Sequence, residues 1–413
     1  MQPQDDPDRL TTAQVARRLG VKPETVYAYV SRGVLHSARD GSGRGSWFDR
    51  AEVDRLAGRA TRGRRPGASG LVIRTALTLI DDGRLAYRGL DATELAREQS
   101  FETVAHWLWL AELDPGRRFA APADAVRLAR TALAALPSGV RSTDRLRVIA
   151  GVAASADPLR FNTEPESVAA TGAGLLATMV DALPPRQAPP DPADRRLAAR
   201  LWPRLTARPA TPAAIDALNA ALVLLADHDL AASTVAARVA ASTRAHPYAV
   251  VAAGLSAFEG PLHGAAASRA YRLLAGAIAT GDPMAVYSES LRTGGLVEDF
   301  VHRPHPLYPA GDVRAAALLE LLAPVGCEPE VRAAIDGLLA AVRQRSPRHP
   351  TVEFALAALA HVGDMIPDAG EAIFAIARTA GWIAHAMEEY REPGLRFRFR
   401  GSYDGPRPTL ACS

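Results

Sequence analysis

This sequence predicts an all-α chain: a mostly helical body preceded by a small, basic helix-turn-helix head. Three observations carry that expectation. From about residue 71 onward the chain is rich in Ala and Leu at helical spacing, as in Ala213–Ala226 and Ala315–Ala323, with few β-branched alternations. Residues 1–65 hold 13 Arg and Lys against 8 Asp and Glu, whereas the remainder holds 35 against 37. Between the two parts runs a Gly/Pro/Arg-rich linker, Ala60–Gly70, of composition ATRGRRPGASG. The length of 413 residues allows about two or three domains. With 48% hydrophobic and 23% charged residues, disorder is excluded as the main state.

The head reads as two short helices and a turn. Thr11-Thr12 offers an N-cap, Val15, Ala16 and Leu19 follow at helical spacing, and Gly20 closes the helix. Pro23 suits the first position of a second helix to Ser31, with Val26 and Val30 inward and Gly33 past its end. Asp40–Gly45 has the composition of a hairpin tip, and Asp49-Arg-Ala-Glu52 fits a capping box for a third helix carrying Val53 and Leu56. TTAQVARRLGVKPETVYAYVSRGVL, a Gly-rich hairpin and SWFDRAEVDRL together resemble the winged helix-turn-helix of the MerR and excisionase families, at about residues 8–60. That resemblance implies duplex DNA as a partner, with the second helix in the major groove. Lys22, Thr25, Tyr27 and Arg32 then face DNA, and Arg39 or Arg44 on the wing touches phosphate.

The body, 71–413, shows no P-loop and no GxGxxG fingerprint, and PPRQAPPDP at Pro184–Pro192 reads as a surface loop. No uncharged apolar run approaches the ~18 residues of a membrane helix, and the acidic, polar N-terminus is unlike a signal peptide, so a cytoplasmic location is expected. Cys327 and Cys412 are the only cysteines, which excludes a disulfide framework or a cysteine-built zinc site.

Three histidines stand beside Gly or Pro or near a helix start: His228 in ADHDLAAST, His263 in EGPLHGAAAS and His305 in HRPHPLYPAGDVRA. Arg314, Arg378, Arg398 and Arg400 join them, and Arg378, Trp382 and His385 share a helical stripe. Glu353 is a carboxylate just before the apolar run of HPTVEFALAAL. Histidines, a carboxylate and several arginines suit acid–base chemistry on a multiply anionic substrate.

These segments, together with LIDDGRLAYRGLDATELAREQSFETVAHWLW and IFAIARTAGWIAHAMEE, resemble the citrate synthase family in the right order over roughly Leu71–Pro406. The resemblance implies an all-α homodimer with a large and a small domain, the small one at roughly 265–370. It implies condensation of acetyl-CoA or propionyl-CoA with oxaloacetate, giving citrate or methylcitrate and CoA. The CoA thioester is the substrate, and no cofactor or metal is implied. By the same resemblance Glu353 is the base, His263 donates to the enol oxygen, His305 polarises the keto oxygen and His228 binds oxaloacetate. Arg314, Arg378 and Arg398 grip its carboxylates, with Arg398 reaching in from the neighbouring subunit.

Several residues depart from the family pattern. Glu353 replaces Asp, Thr351 replaces Asn, and His302-Arg303-Pro304 replaces Gly-Phe-Gly. Ala265 replaces Gly, and Ala231 replaces Asn. One extra methylene moves a carboxylate by roughly 1 Å, and an Ala265 forced to positive φ would be strained. Two readings stay open at this point. One is a working synthase with an adjusted pocket. The other is a degenerate synthase that senses a metabolite and regulates through DNA.

Overall fold

A computed structural model describes residues 9–19, 21–31, 34–39, 46–50, 52–53, 73–81, 83–188, 194–293, 301–302, 307–308, 310–345, 349–398 and 401–405. Expectations at Gly20, Arg32, Gly33, Arg44, Leu56, Pro304, His305 and Arg400, and over 61–70, lie outside the described residues. The chain divides into two compact units, Met1–Arg74 and Thr75–Ser413.

In the first unit, β1 (Arg9–Thr11) leads into α1 (Thr12–Leu19) and α2 (Pro23–Ser31), followed by β2 (Ala38–Arg39) and β3 (Ser46–Asp49). The Thr11 amide donates to Gln14 Oε1 at 2.8 Å and the Gln14 amide returns to Thr11 Oγ1 at 3.4 Å, so Thr11 starts α1 as a capping box. Val15, Ala16, Val26, Phe48 and Val53 close a small core, with Leu19 and Val30 packed against it. Strand β3 pairs antiparallel with both β1 and β2, which makes a three-stranded wing. The Glu52 amide donates to Asp49 Oδ1 at 2.7 Å, the cap expected there.

The second unit opens with a small antiparallel sheet that periodicity did not predict: β4 (Thr78–Asp81), β5 (Arg84–Tyr87) and β6 (Leu90–Asp91). Its strands are too short to show alternation, and its turns use positive φ at Gly83, Arg88 and Gly89. Helices follow: α3 (Ala92–Glu98), α4 (Phe101–Leu110), α5 (Ala123–Ala134), α6 (Ser142–Ala156), α7 (Pro165–Ala182) and α8 (Leu197–Leu205). Then come α9 (Pro212–Leu225), α10 (Ala232–Ser242), α11 (Pro247–Phe258), α12 (Ala266–Thr280) and α13 (Pro283–Thr293). After β7 (Val301–His302) lie α14 (Val313–Leu322) and α15 (Pro329–Arg345), then β8 (His349–Pro350), α16 (Val352–Val362) and α17 (Ala369–Arg391).

Starts are written in the sequence. Thr211 caps α9 ahead of Pro212, and His246 caps α11 ahead of Pro247. Helix α17 is the axis of this unit. Its residues are buried from Ala369 to Met387, and it packs on α4, α6, α7, α9, α10, α11, α12 and α16. No described helix is long and apolar enough to cross a membrane.

Candidate active site

The site gathers where α9 ends beside α17. Tyr87, buried on β5, places its hydroxyl 3.1–3.2 Å from the carbonyls of Val223, Leu224 and Asp227, which ties off the open end of α9. Burial, and then the charge of Asp227, push the Tyr87 phenol up, so it stays protonated and able to donate. The chain then turns outward through Asp229 at φ +49°. In that turn His228 Nε2 lies 2.9 Å from the Tyr308 hydroxyl. Burial raises Tyr308 to about 12.

His263 follows α11. Its ring stands edge-on to Phe258 and Phe374, with centroids at 5.2 and 6.2 Å, and its Nε2 lies 2.8 Å from Ser233 Oγ. Burial first, and then the Arg378 charge, push His263 down to about 4. At neutral pH it is therefore a neutral imidazole, with one nitrogen donating and the other accepting. Gly264 is needed for this approach, because a Cβ there would sit 2.5 Å from the Phe258 carbonyl oxygen. Ala265 has φ −69°, so alanine carries no backbone strain at that position.

Arg314 sits in the first turn of α14. Asp312 caps that helix and also grips the guanidinium through Nε at 2.9 Å and Nη2 at 2.8 Å. Burial works against the Asp312 charge, but Arg314 outweighs it and holds the carboxyl below its usual range. The Arg314 guanidinium carbon lies 5.6 Å from the Tyr308 ring centre. Arg378, in the middle of α17, is 1% exposed. Its Nε donates to the Leu225 carbonyl at 2.9 Å, and its guanidinium lies 4.7 Å from the Phe374 ring centre. Its Nη2 is buried without a hydrogen-bond partner. Burial lowers Arg378, nearby Asp227 opposes that, and the like charge of Arg314 adds to it.

Glu353 is the second residue of α16 and half-buried, where the helix dipole favours a carboxylate. Its charge reaches both Arg314 and Arg378. Thr351 caps the helix, accepting from the Phe354 amide at 3.3 Å. Ala231, by contrast, starts α10 with no side-chain cap. One region therefore holds two buried guanidinium groups, a neutral imidazole, a His–Tyr pair and a carboxylate. Bidentate cations can take a dianion there, and the carboxylate and imidazole can move a proton beside it.

His228, His263, Arg314, Glu353 and Arg378 are brought together. Arg398 is exposed beyond the end of α17 and does not join them within one chain. Sequence reasoning missed Ser233, Asp227 and Tyr308 as partners, although all three lie inside the motifs that drew attention. In the head, Lys22 and Tyr27 are exposed, Tyr27 by 58%, and Thr25 is partly exposed. Thr25 and Tyr27 flank buried Val26 on α2, and Lys22 immediately precedes that helix.

The family model for the citrate synthase C-terminal domain matches residues 67–400, and a helix-turn-helix domain model matches 9–60. Citrate synthase 2 of Bacillus subtilis is 27% identical over 82% of this chain and 95% of its own length. 2-Methylcitrate synthase 2 of Corynebacterium glutamicum is 29% identical over 78% of this chain and 88% of its own. Citrate synthase from Thermoplasma acidophilum, solved with carboxymethyl coenzyme A and oxaloacetate, superposes with a TM-score of 0.67 at 23% identity, covering 86% of this chain and 98% of that one. The Pyrobaculum aerophilum enzyme gives the same TM-score and identity over 92% and 97%. With the matched model spanning most of its length and His228, His263, Arg314, Glu353 and Arg378 brought together, the chain belongs to the citrate synthase family and carries a helix-turn-helix domain ahead of a citrate synthase-like enzyme body.

Proposed function

We propose that this protein is a cytoplasmic, homodimeric acyltransferase that condenses acetyl-CoA or propionyl-CoA with oxaloacetate, giving citrate or methylcitrate and CoA. The observation that carries the reading is Arg378: a buried guanidinium with an unpaired Nη2, beside a second buried arginine and a neutral histidine. An unpaired buried donor is costly, and a substrate carboxylate satisfies it. Glu353 removes a proton from the carbon next to the thioester, and His263 donates a hydrogen bond to the enol oxygen that forms. The enol carbon then bonds to the keto carbon of oxaloacetate, whose oxygen His305 protonates. Water cleaves the thioester and releases CoA. His228, Arg314 and Arg378 orient the oxaloacetate, and Arg398 of the neighbouring subunit completes the grip.

CoA release, followed with a free-thiol reagent on each thioester with oxaloacetate, tests the reading. Glu353→Gln should lower turnover by about 10²–10⁴-fold, because an amide cannot accept the proton. Glu353→Asp should also lower it, since the shorter chain pulls the base back by roughly 1 Å. Equal turnover in the wild type and Glu353→Gln would defeat the proposal. No CoA release with either thioester would favour a metabolite-sensing regulator instead.

For the head we propose duplex DNA as the partner, with Lys22, Thr25, Tyr27, Arg32 and Arg44 as the contacting residues. The exposure of Lys22, just before α2, and of Tyr27 within it supports that reading.

A further inference from the structure

Behind the substrate-binding face runs a buried polar chain that the chemistry above does not use. His385, on α17, is fully buried. Its Nδ1 stands 2.7 Å from Arg238 Nη1, and its Nε2 stands 3.3 Å from the Asp227 carboxylate. A guanidinium can only donate. Nδ1 is therefore the acceptor, and the ring proton sits on Nε2, aimed at Asp227.

Both ends of the chain are fixed. Arg238, 1% exposed, donates to Glu389 at 3.2 Å and to Glu388 at 2.8 Å. Glu389 in turn accepts from Arg396 at 2.6 Å through each carboxylate oxygen. At the other end the Thr78 hydroxyl donates to Asp227 at 2.5 Å.

Asp227 meets the site in two ways. It immediately precedes His228, and its charge offsets the burial of the Arg378 guanidinium. Gly381, between Arg378 and His385 on α17, lets the two backbones touch, its amide donating to the Ala226 carbonyl at 3.0 Å.

We propose that His385 is a positioning residue. By donating to Asp227 it fixes the carboxylate that holds the His228 turn and the Arg378 guanidinium in the geometry that receives the substrate dianion. The inference rests on reading that site as the oxaloacetate site. A merely structural brace between α10 and α17 would depend equally on the Arg238 half of the chain, and two amide variants separate the halves. In His385→Gln the amide nitrogen can reach the Nε2 position, keeping the donor to Asp227 and losing the acceptor for Arg238. In His385→Asn the amide oxygen lies near the Nδ1 position, keeping the acceptor and losing the donor.

The test uses the full-length protein, with calorimetric oxaloacetate affinity, steady-state CoA release and thermal midpoint for each variant. His385→Gln should bind oxaloacetate within about threefold of wild type, and His385→Asn should bind it about tenfold or more weaker, the size of one lost hydrogen bond to a charged group. The oxaloacetate KM should rise with that loss while kcat moves less. Equal losses in both variants, a loss confined to His385→Gln, or no loss in either would overturn the proposal. If His385→Asn does not fold, Asp227→Asn gives the reading: its affinity should fall by about tenfold, and unchanged affinity would overturn the proposal. Failure of the wild type to bind oxaloacetate defeats the site reading and this inference with it. Binding by the wild type with the wrong pattern among the variants defeats only the role of His385.

Discussion

Protonation of His263 sets an acid limit on the site. In the unfolded chain a histidine titrates near 6.5, and here burial and Arg378 lower it to about 4. Between those values the unfolded chain binds more protons than the folded one. The contribution of neutral His263 to stability is thus complete above about pH 6.5 and is lost as pH falls through about 4. An imidazole NMR titration should find His263 neutral at pH 6, and a midpoint near 6.5 would contradict the packing around it. The two buried arginines should also behave differently. Arg314→Leu strands Asp312, so it should cost about 3–5 kcal/mol of folding stability as well as oxaloacetate affinity. Arg378 has an unpaired Nη2, so Arg378→Leu should cost less stability while weakening oxaloacetate by about 2–5 kcal/mol. Calorimetry and thermal melts of both variants check this, and unchanged oxaloacetate affinity in both would remove the carboxylate assignment.

Among the elements, α17 and the end of α9 meet without a spacer. A Cβ at Gly381 would lie 2.5 Å from both the Ala226 carbonyl oxygen and Asp227 Oδ1, neither of which can swing away. Gly381→Ala should therefore push the His228 turn off α17 and lower kcat/KM by at least about tenfold, more than the small helix-propensity gain of alanine could suggest. Near-normal kcat/KM in that variant would mean that the turn tolerates displacement. The same junction shows where sequence reasoning stops. The starts of α1 at Thr11-Thr12 and of α2 at Pro23 were legible because caps and prolines act locally. The histidine candidates stood out beside Gly or Pro or near a helix start, and the roles of all the candidates came from the family resemblance. Their supports were not: His385 meets Asp227 across 158 residues, and Ser233 meets His263 across 30. The stripe of Arg378, Trp382 and His385 was legible as a stripe only, since Trp382 in fact packs against Phe258 and the backbone of Gly254. The sheet at 78–91 escaped because strands of two to four residues carry no period.

At the scale of the whole molecule, the proposed grip on substrate by Arg398, which is exposed within one chain, requires a second copy. Sedimentation should show a dimer at micromolar concentration, and a monomer would remove both the dimer and the shared site. A dimer presents two heads, which suits a two-fold symmetric operator. The net charge of residues 1–65 permits only a few phosphate contacts, so DNA retardation should weaken gradually with salt. Deleting residues 1–70 should abolish it, and unchanged retardation would dismiss the winged-helix reading. The central helix also dictates an order of assembly. The contacts of α17 run back to Ala76, whose amide donates to Glu388, yet it is made last among the described helices of its unit. During synthesis the head can close its own core early, while the helices from α4 onward wait with an apolar channel exposed until residue 391 clears the ribosome. That interval favours capture by a chaperone. Amide hydrogens of α17 should be among the slowest of the folded protein to exchange with solvent.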